Sequence, residues 1–394
     1  MKKCLSIVIC IFLIASLSGC SKADNYYKEG KESLEKKNYG KAAEYFSKAV
    51  EMKPDRADYF IDYGMTLIAM GKSDEAMEQF DHAYVDKDMA IIKKNNKRAL
   101  RGMGIAYYNM QQYRKAVEEF DKALKLNVLP SLDMDILYYK GSSLKAVGSY
   151  DKAVEIYTGI LSEKGKNAQA YSERAYCYRR MGIYEKSLAD YDNAIKLEPD
   201  TFEYLFGKYY LLREFDKTKE AKAVLSQASK IKISTEEDKY NLARLHFYQE
   251  NYDAALPELE AGFTAGFYEA YYYIGEIYRN NRDYSKAAYY YEKYIDTGKV
   301  SASNVYNQAA VCLIKTEDYE KALKYLETGI AFQDTGTIQV LKRNEIIAYE
   351  KMGGFDTAKE KLTEYLSAYP EDKDAVREAD FVDTRIMDAV TAEQ

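Results

Sequence analysis

Small and bulky apolar residues recur along the chain with a regular spacing. In each copy a small residue is followed four positions later by a bulky apolar one, and in several copies seven positions later by another small one. Offsets of 0, +4 and +7 fall on one face of an α-helix. The first small residue serves as a marker, and the median distance between neighbouring markers is 34 residues. The markers are Ala42, Ala76, Ala116, Ala153, Ser187, Ala221, Ala255, Ala287, Ala322 and Ala358.

A further small residue lies twelve positions before the marker in most copies and predicts a preceding helix. Small residues on both helices let them approach closely, where a bulky side chain would overpack the contact by roughly 1–3 kcal/mol. Each copy is therefore predicted to be a helix–turn–helix, with Gly71, Gly148, Gly182 and Gly353 near turns. The residues at position −12 are Gly30, Gly64, Gly104, Gly141, Ala175, Ala243, Gly275 and Ala310.

The period, the small–small–bulky–small pattern and the prolines after second helices resemble the tetratricopeptide repeat. This resemblance implies an all-α fold, a right-handed α-solenoid superhelix of about ten helix–turn–helix units over residues 23–370. Because the last repeat would expose its apolar face, residues 371–394 are expected to supply a capping helix and a tail. The apolar stripe of that helix is predicted at Val376, Ala379, Val382, Ile386 and Val390.

Three places depart from the pattern. Gly207 lies two residues too far ahead of its marker, which predicts a longer turn in the sixth copy. Pro257 falls inside the second helix of the seventh copy, where proline should kink or delay the helix. Extra length separates Asp86 from Lys97.

The first residues form a separate segment. Lys2 and Lys3 precede a short apolar run, as in a secretory signal peptide. The end of this run, Leu17-Ser18-Gly19-Cys20, resembles the bacterial lipobox; the alternatives are an ordinary signal peptide or a plain membrane anchor, with a cysteine there by chance. The resemblance implies a signal peptide at 1–19, lipidation at Cys20, and a short linker within 20–22. The expected location is the bacterial cell envelope, with a lipid anchor on the extracytoplasmic side of a membrane that the sequence does not specify.

Composition and motifs limit which ligands and reactions we expect of this protein. The net charge is −6 without a long basic run, which argues against nucleic acid as a partner. Cys177 and Cys312 are far apart in sequence and are expected to be buried free thiols. Two S-x-x-K matches lack the companion motifs of penicillin-recognising enzymes, and His82 and His246 lie in different repeats. We therefore expect no catalytic residues, no metal and no cofactor.

In tetratricopeptide proteins the first helix of each repeat lines a concave groove, so outward residues of these helices are the candidate binding residues. Tyr, Arg and Asn make adaptable contacts in recognition surfaces. The candidates are Arg98, Arg101, Tyr108, Asn109, Tyr138, Tyr139, Tyr176, Arg179, Arg180, Tyr204, Lys208, Tyr240, Asn241, Arg244, Phe247, Tyr248, Tyr272, Tyr273, Glu276, Arg279 and Asn280.

The arginines favour a protein or peptide partner that carries carboxylates. Alternatively, some tyrosines pack between repeats and the arginines pair with neighbouring acidic residues. The leading functional hypothesis is a membrane-anchored scaffold for envelope assembly, secretion or regulation; the alternative is a module that binds cell-wall or extracellular glycan. The oligomeric state stays open.

Overall fold

The computed structural model describes residues 22–163, 165–300, 302–332 and 336–392, and within these ranges it is helical, without strands. The predicted signal peptide and Cys20 lie outside the described residues. The chain divides into two compact units, residues 1–181 and 182–394. First and second helices of the repeats, named A and B, alternate along both units, as the sequence pattern predicts.

Unit 1 contains the helices of the first four repeats and helix A of the fifth. One 3₁₀ turn, Pro130–Leu132, precedes α7. Its α-helices are α1 (22–35), α2 (Tyr39–Met52), α3 (Ala57–Ala69), α4 (Ser73–Ala83), α5 (Ala90–Asn109), α6 (Tyr113–Lys125), α7 (Asp133–Ala146), α8 (Tyr150–Glu163) and α9 (Ala168–Arg180).

Unit 2 begins with helix B of the fifth repeat and ends with a single helix after the tenth. Its helices are α10 (Tyr184–Leu197), α11 (Phe202–Glu214), α12 (Thr218–Ala228), α13 (Glu236–Tyr248), α14 (Tyr252–Thr264), α15 (Ala270–Asn280), α16 (Tyr284–Asp296), α17 (Ser303–Lys315), α18 (Tyr319–Ala331), α19 (Ile338–Lys351), α20 (Phe355–Ala368) and α21 (Lys373–Ala392).

The marker residues and the small residues of the A helices form the helix–helix contacts. All ten markers are at most 1% exposed. In repeat 3 a Cβ added at Gly104 would lie 2.4 Å from Cε1 of Phe120, the bulky residue of helix B. Phe80 is enclosed in the same way by Gly64 of its own repeat and Gly102 of the next one, at 2.6 and 2.4 Å. The predicted close approach of the two helices is therefore confirmed.

The turn from helix A to helix B places one residue in the left-handed region in each repeat. Four of these are the predicted glycines, and the others carry side chains; the ten are Lys37, Gly71, Gln111, Gly148, Gly182, Asp216, Glu250, Arg282, Glu317 and Gly353. The amide of Gly71 donates to the carbonyl of Ile68, and the amide of Lys72 donates to the carbonyl of Leu67. These are the two hydrogen bonds that end a helix at a residue in the left-handed region. The turn geometry is thus set by these bonds, and glycine only lowers its cost.

The expectation of a longer turn in repeat 6 is wrong. Residues 215–217 join α11 to α12, and the α5–α6 turn (110–112) has the same length. Gly207 instead faces the preceding repeat, where an added Cβ would lie 2.4 Å from Cε1 of Tyr191. Gly207 corresponds to Gly102 of repeat 3, which faces the preceding repeat. The position two residues later faces the repeat's own helix B; it is Gly104 in repeat 3 and Tyr209 in repeat 6.

The structure also shows what happens at the two other departures from the pattern, Pro257 and the extra length before Lys97. Helix α14 begins at Tyr252, three residues before its marker, and continues through Pro257, so the predicted delay does not occur. The extra length before Lys97 becomes additional turns at the start of α5, which has 20 residues.

The last helix, α21, packs against α20. Ala375 and Val382 are fully buried, and Ala379 and Ile386 pack against the same core. Val376, which the sequence placed in this stripe, is 46% exposed, because Ala375 is the residue in register with Ala379 and Val382. The side chain of Val390 lies outside the described residues.

A polar group joins α21 to α19. Arg343 pairs with Glu378 of α21, and its Nε lies 4.0 Å from Oδ2 of Asp372. The carboxyl of Glu350 lies beside Glu378, and burial together with that second carboxyl raises the pKa of Glu350 to about 7. The contact between α19 and α21 therefore includes a carboxyl, that of Glu350, which is protonated more readily than an ordinary glutamate.

Candidate functional site

In unit 1 the A helices of repeats 1 to 3 are joined by polar side chains. The Tyr27 hydroxyl donates to Oδ2 of Asp62 (2.5 Å), while Nη2 of Arg98 donates to Oδ1 of the same carboxylate (2.7 Å). Burial and the Asp62 carboxylate raise the pKa of Tyr27, so the hydroxyl stays a donor. One carboxylate thus holds three successive A helices in register.

The next arginine continues this arrangement into repeat 4. Nε of Arg101 donates to Oδ2 of Asp135 (2.5 Å), and its Nη1 lies 3.9 Å from Sδ of Met65. We call Tyr27, Asp62, Arg98, Arg101 and Asp135 the A-helix ladder of unit 1. The ladder contains two arginines and two aspartates, so it presents balanced charge, and the alternative in which the arginines pair with neighbouring acidic residues applies to Arg98 and Arg101.

Other predicted residues of unit 1 take part in packing to different degrees. The Tyr138 hydroxyl donates to Oδ1 of Asn167 (2.9 Å), and the same oxygen caps α9 by accepting from the amide of Ala170 (2.9 Å). Tyr108 is half-buried and meets Tyr139 edge-on, with ring centroids 5.5 Å apart. Asn109 is exposed at the end of α5.

Cations surround the predicted aromatic residue of α9. The Tyr176 ring lies 5.0 Å from Nζ of Lys145 and 5.2 Å from the guanidinium carbon of Arg179. Arg180 lies 5.3 Å from the ring of Tyr150. These cations therefore interact with the faces of tyrosine rings of the same unit.

In unit 2 the central residue of the A-helix face is Arg244. Its Nη1 donates to Oδ1 of Asn241 (2.8 Å) and to Oε1 of Glu203 (3.3 Å), and its Nε donates to the Tyr273 hydroxyl (3.2 Å). The guanidinium also lies 4.8 Å from the ring of Phe206. Arg244 is held by groups from three A helices, α11, α13 and α15.

A chain of tyrosine hydroxyls continues from this arginine. The hydroxyls of Tyr248 and Tyr273 are 3.0 Å apart, and those of Tyr210 and Tyr248 are 2.5 Å apart. Burial raises the pKa of Tyr210 and of Tyr273, so both keep their protons. We call Phe206, Tyr210, Arg244, Tyr248 and Tyr273 the tyrosine–arginine cluster of unit 2.

Several residues predicted to face outward are buried in unit 2. Tyr240 stacks on Phe267 at 4.7 Å, and its hydroxyl donates to Glu269 (3.3 Å). These side chains fill the space between neighbouring repeats, because a tyrosine can bury its ring and still satisfy its hydroxyl. The buried residues, for which outward exposure is wrong, are Tyr204, Tyr240, Asn241, Tyr248, Tyr273 and Glu276.

The remaining predicted residues of unit 2 are at least partly accessible. Arg279 is half-buried and donates to Glu276 (2.6 Å), which also accepts from the Tyr291 hydroxyl (2.5 Å). Asn280 is exposed and donates to the Tyr252 hydroxyl (3.0 Å). The other partly buried residues are Lys208, which pairs with Asp192, and Phe247 and Tyr272, which pack against the core.

The sequence prediction missed the acidic residues that hold the arginines. Arg98 and Asp62 are 36 residues apart, and Arg101 and Asp135 are 34 apart, which is about one repeat. Opposite charges at one repeat's separation on A helices were therefore a usable signal. Glu203, which binds Arg244 from 41 residues away, does not follow that spacing.

The described residues show the following chemistry. Among the described residues, no group of three or more His, Cys, Asp or Glu side chains lies close enough together to hold a metal ion. Cys177 and Cys312 are buried and free, as expected, and burial raises the pKa of each thiol to about 12. Among the helices of the described ranges none is long and apolar enough to cross a bilayer.

The alternating A and B helices, the glycine–aromatic contacts and the joined A-helix faces define an α-helical repeat protein. Models of the tetratricopeptide repeat match residues 23–56, 97–127, 168–201, 240–304 and 303–333. The chain belongs to the tetratricopeptide-repeat family.

The similar proteins are diverse. Hsp70-Hsp90 organizing protein 3 of Arabidopsis thaliana is 26% identical over 223 residues, which are 49% of this chain and 40% of that protein. BBSome complex member BBS4 of Bos taurus is 22% identical over 351 residues, 85% of this chain and 64% of that protein. The chain therefore spans less than two thirds of either relative. Among solved structures, MamA from Desulfovibrio magneticus RS-1 is 24% identical, with a TM-score of 0.40 over 45% of this chain and 95% of that one.

Proposed function

We propose that this protein is a non-catalytic, membrane-anchored scaffold of the bacterial envelope that binds a partner protein or peptide on its A-helix faces. The observation that carries the proposal is the row of partly exposed Arg, Asp and Tyr side chains on adjacent A helices. These residue types are enriched in recognition surfaces or supply their charge complementarity. Two relatives whose names describe protein assemblies are consistent with this role.

The pairing of the arginines changes what the partner must offer. Asp135 has a 44% exposed side chain and Arg101 a 22% exposed one, so both signs of charge are accessible along the ladder. A partner with alternating charges satisfies both, whereas a purely acidic peptide must displace the aspartates. We therefore favour a mixed-charge protein surface over the carboxylate-rich peptide that the sequence suggested.

The glycan alternative has weaker support. Stacking on sugar rings requires exposed aromatic faces, and the rings of Tyr240, Tyr248 and Tyr273 are buried between repeats. The surface that remains combines charged and amide side chains with partly buried tyrosines. Such a surface fits protein better than polysaccharide.

Binding is tested with a charge-swapped pair. In the variant Arg101→Asp with Asp135→Arg, the ion pair is retained and its polarity is reversed. The matched control is Arg114→Glu, which changes an exposed cation on helix B of the same repeat. A partner captured by crosslinking on native membranes is identified, purified and titrated against all three proteins.

The swap should weaken binding of the partner by about tenfold or more, because repulsion between the ladder and the partner's charges, about 1.4 kcal/mol, replaces their attraction. The Arg114→Glu control should bind the partner as the wild type does. Equal binding by wild type and swap would remove the ladder from the site. Anchoring is tested separately with Cys20→Ala, which should release the protein from the membrane fraction. Mass spectrometry of the wild type should detect an acylated N-terminal Cys20.

A further inference from the structure

The edge of unit 1 where the A helices begin carries a protruding apolar segment. It consists of residues 84–92, the loop after α4 and the first residues of α5, and we call it the apolar protrusion. Isolated exposed apolar residues are ordinary, but a group of them on one loop points to a contact. Its exposed side chains are Tyr84 (40%), Val85 (38%), Met89 (56%) and Ile91 (61%).

The protrusion is held in place. Asn96, which is 5% exposed, donates from Nδ2 to the carbonyl of Val85 (2.7 Å) and accepts the amide of Val85 at Oδ1 (3.0 Å). The Arg98–Asp62 pair sets α5 beside α3. Eight residues of α5 precede Arg98 and five residues of α3 precede Asp62, so α5 extends further by three residues, about 4.5 Å.

The N-terminal residues of the described chain lie at the same edge. Asp24 accepts a hydrogen bond from Tyr59 near the start of α3 and from Nζ of Lys53 at the end of α2 (3.0 Å). Cys20 is two residues before Lys22, and two extended residues span at most about 7 Å. An acyl group on Cys20 would therefore hold this edge against the bilayer.

We propose that the apolar protrusion inserts into the interfacial layer of the membrane, as a second, non-covalent contact that orients unit 1. The inference rests on the lipid anchoring at Cys20 proposed above. Because the anchor keeps the protrusion at a high effective concentration near lipid, a small apolar area is sufficient. The contact positions the A-helix ladder of the same unit relative to the membrane surface.

The charges near the protrusion indicate which lipid property matters. Lys87, Lys93 and Lys94 are opposed by Asp86 and Asp88, so the local net charge is only +1. Burial of apolar side chains therefore dominates over attraction to anionic headgroups. The contact should form on neutral phosphatidylcholine and resist added salt.

The test places an environment-sensitive fluorophore on full-length, lipidated protein in phosphatidylcholine vesicles. One variant is Ile91→Cys. The matched control is Met70→Cys, 37% exposed at the opposite end of α3, which is about 20 Å long. Cys177 and Cys312 are buried and should not compete for the label. The Ile91 probe should shift to the blue and be quenched by headgroup-proximal nitroxide lipids, whereas the Met70 probe should do neither.

A second variant tests the side chains themselves. Met89→Asp in the Ile91→Cys background should abolish the quenching, and Met70→Asp in that background should leave it unchanged. An Ile91 probe that remains unquenched on floated vesicles overturns the inference while anchoring stands. Protein that fails to float refutes the anchoring and the inference with it. A concentration-dependent blue shift without vesicles would mean that a second copy covers the protrusion, and would also overturn it.

Discussion

Gly104 offers the sharpest test of how the repeats pack. In Gly104→Ala the new Cβ would lie 2.4, 2.6 and 2.8 Å from three carbons of the Phe120 ring. Ordinary contacts begin near 3.4 Å, so the ring must move by about 1 Å. Phe120 is 0% exposed, so the ring can move only by displacing neighbouring side chains of a close-packed core.

The magnitude follows from two opposing effects. Overpacking of this kind costs roughly 1–3 kcal/mol, and replacing a helical glycine by alanine gains roughly 0.5–1 kcal/mol. Gly104→Ala should therefore lower the free energy of unfolding by about 0.5–2 kcal/mol. The control is Gly159→Ala in α8, where a Cβ meets nothing within 4 Å. That variant should raise stability by about 0.5–1 kcal/mol.

Urea unfolding followed by far-UV circular dichroism compares the two variants with wild type. Stacked repeats need not unfold in one step, so hydrogen exchange in α5 and α6 should accompany it. Phe120→Leu should partly rescue Gly104→Ala, with a coupling energy of roughly 1 kcal/mol in a double-mutant cycle. If Gly104→Ala stabilises the protein as Gly159→Ala does, the contact is not sterically limiting and the packing argument fails.

Three further variants test local features. Glu350→Gln should remove a pH dependence of the free energy of unfolding. In the wild type the pKa of Glu350 is raised from 4.5 to about 7, so the folded state holds this proton more tightly than the unfolded state does. The stabilisation that this proton provides is therefore complete below pH 4.5 and is lost as pH rises through 7. The loss should be about 1–2 kcal/mol after allowance for partial exposure, measured by urea titration at pH 4.5 and 8. Asn96→Ala should cost about 2–3 kcal/mol locally and speed hydrogen exchange at Val85, with unchanged exchange arguing against the pinned loop. Tyr248→Phe should destabilise by about 1–2 kcal/mol and the exposed Tyr289→Phe by almost nothing; equal thermal midpoints would contradict the hydroxyl chain.

The repeat register could be predicted from the sequence because its central contact is local. Gly104 and Phe120 are 16 residues apart, and Gly64 and Phe80 repeat that spacing. Gly207 was misinterpreted because two small positions exist on helix A, one facing the repeat's own helix B and one facing the preceding repeat. Gly102 beside Gly104 already contained that information.

The candidate site was less predictable for a physical reason. A helical period identifies the face on which Tyr240 and Tyr248 lie, but it does not reveal whether the next repeat covers that face. Tyrosine tolerates both situations, since its ring packs and its hydroxyl can bond to a neighbour. Burial therefore depends on residues of other repeats, such as Phe267 and Tyr210, at separations that the local pattern does not encode.

The arginine pairs link binding to the stacking of repeats. Arg98 and Arg101 hold neighbouring A helices through Asp62 and Asp135, and the same groups form the proposed recognition surface of unit 1. A partner that takes either member of a pair must replace the bond it removes, so its affinity reflects a difference between two interactions. Linkage requires the reverse as well: the factor by which a bound partner shifts the stacking equilibrium of these helices equals the factor by which stacking changes the affinity for that partner. A partner that bridges both members of a pair strengthens the stack, whereas one that captures only an arginine loosens it.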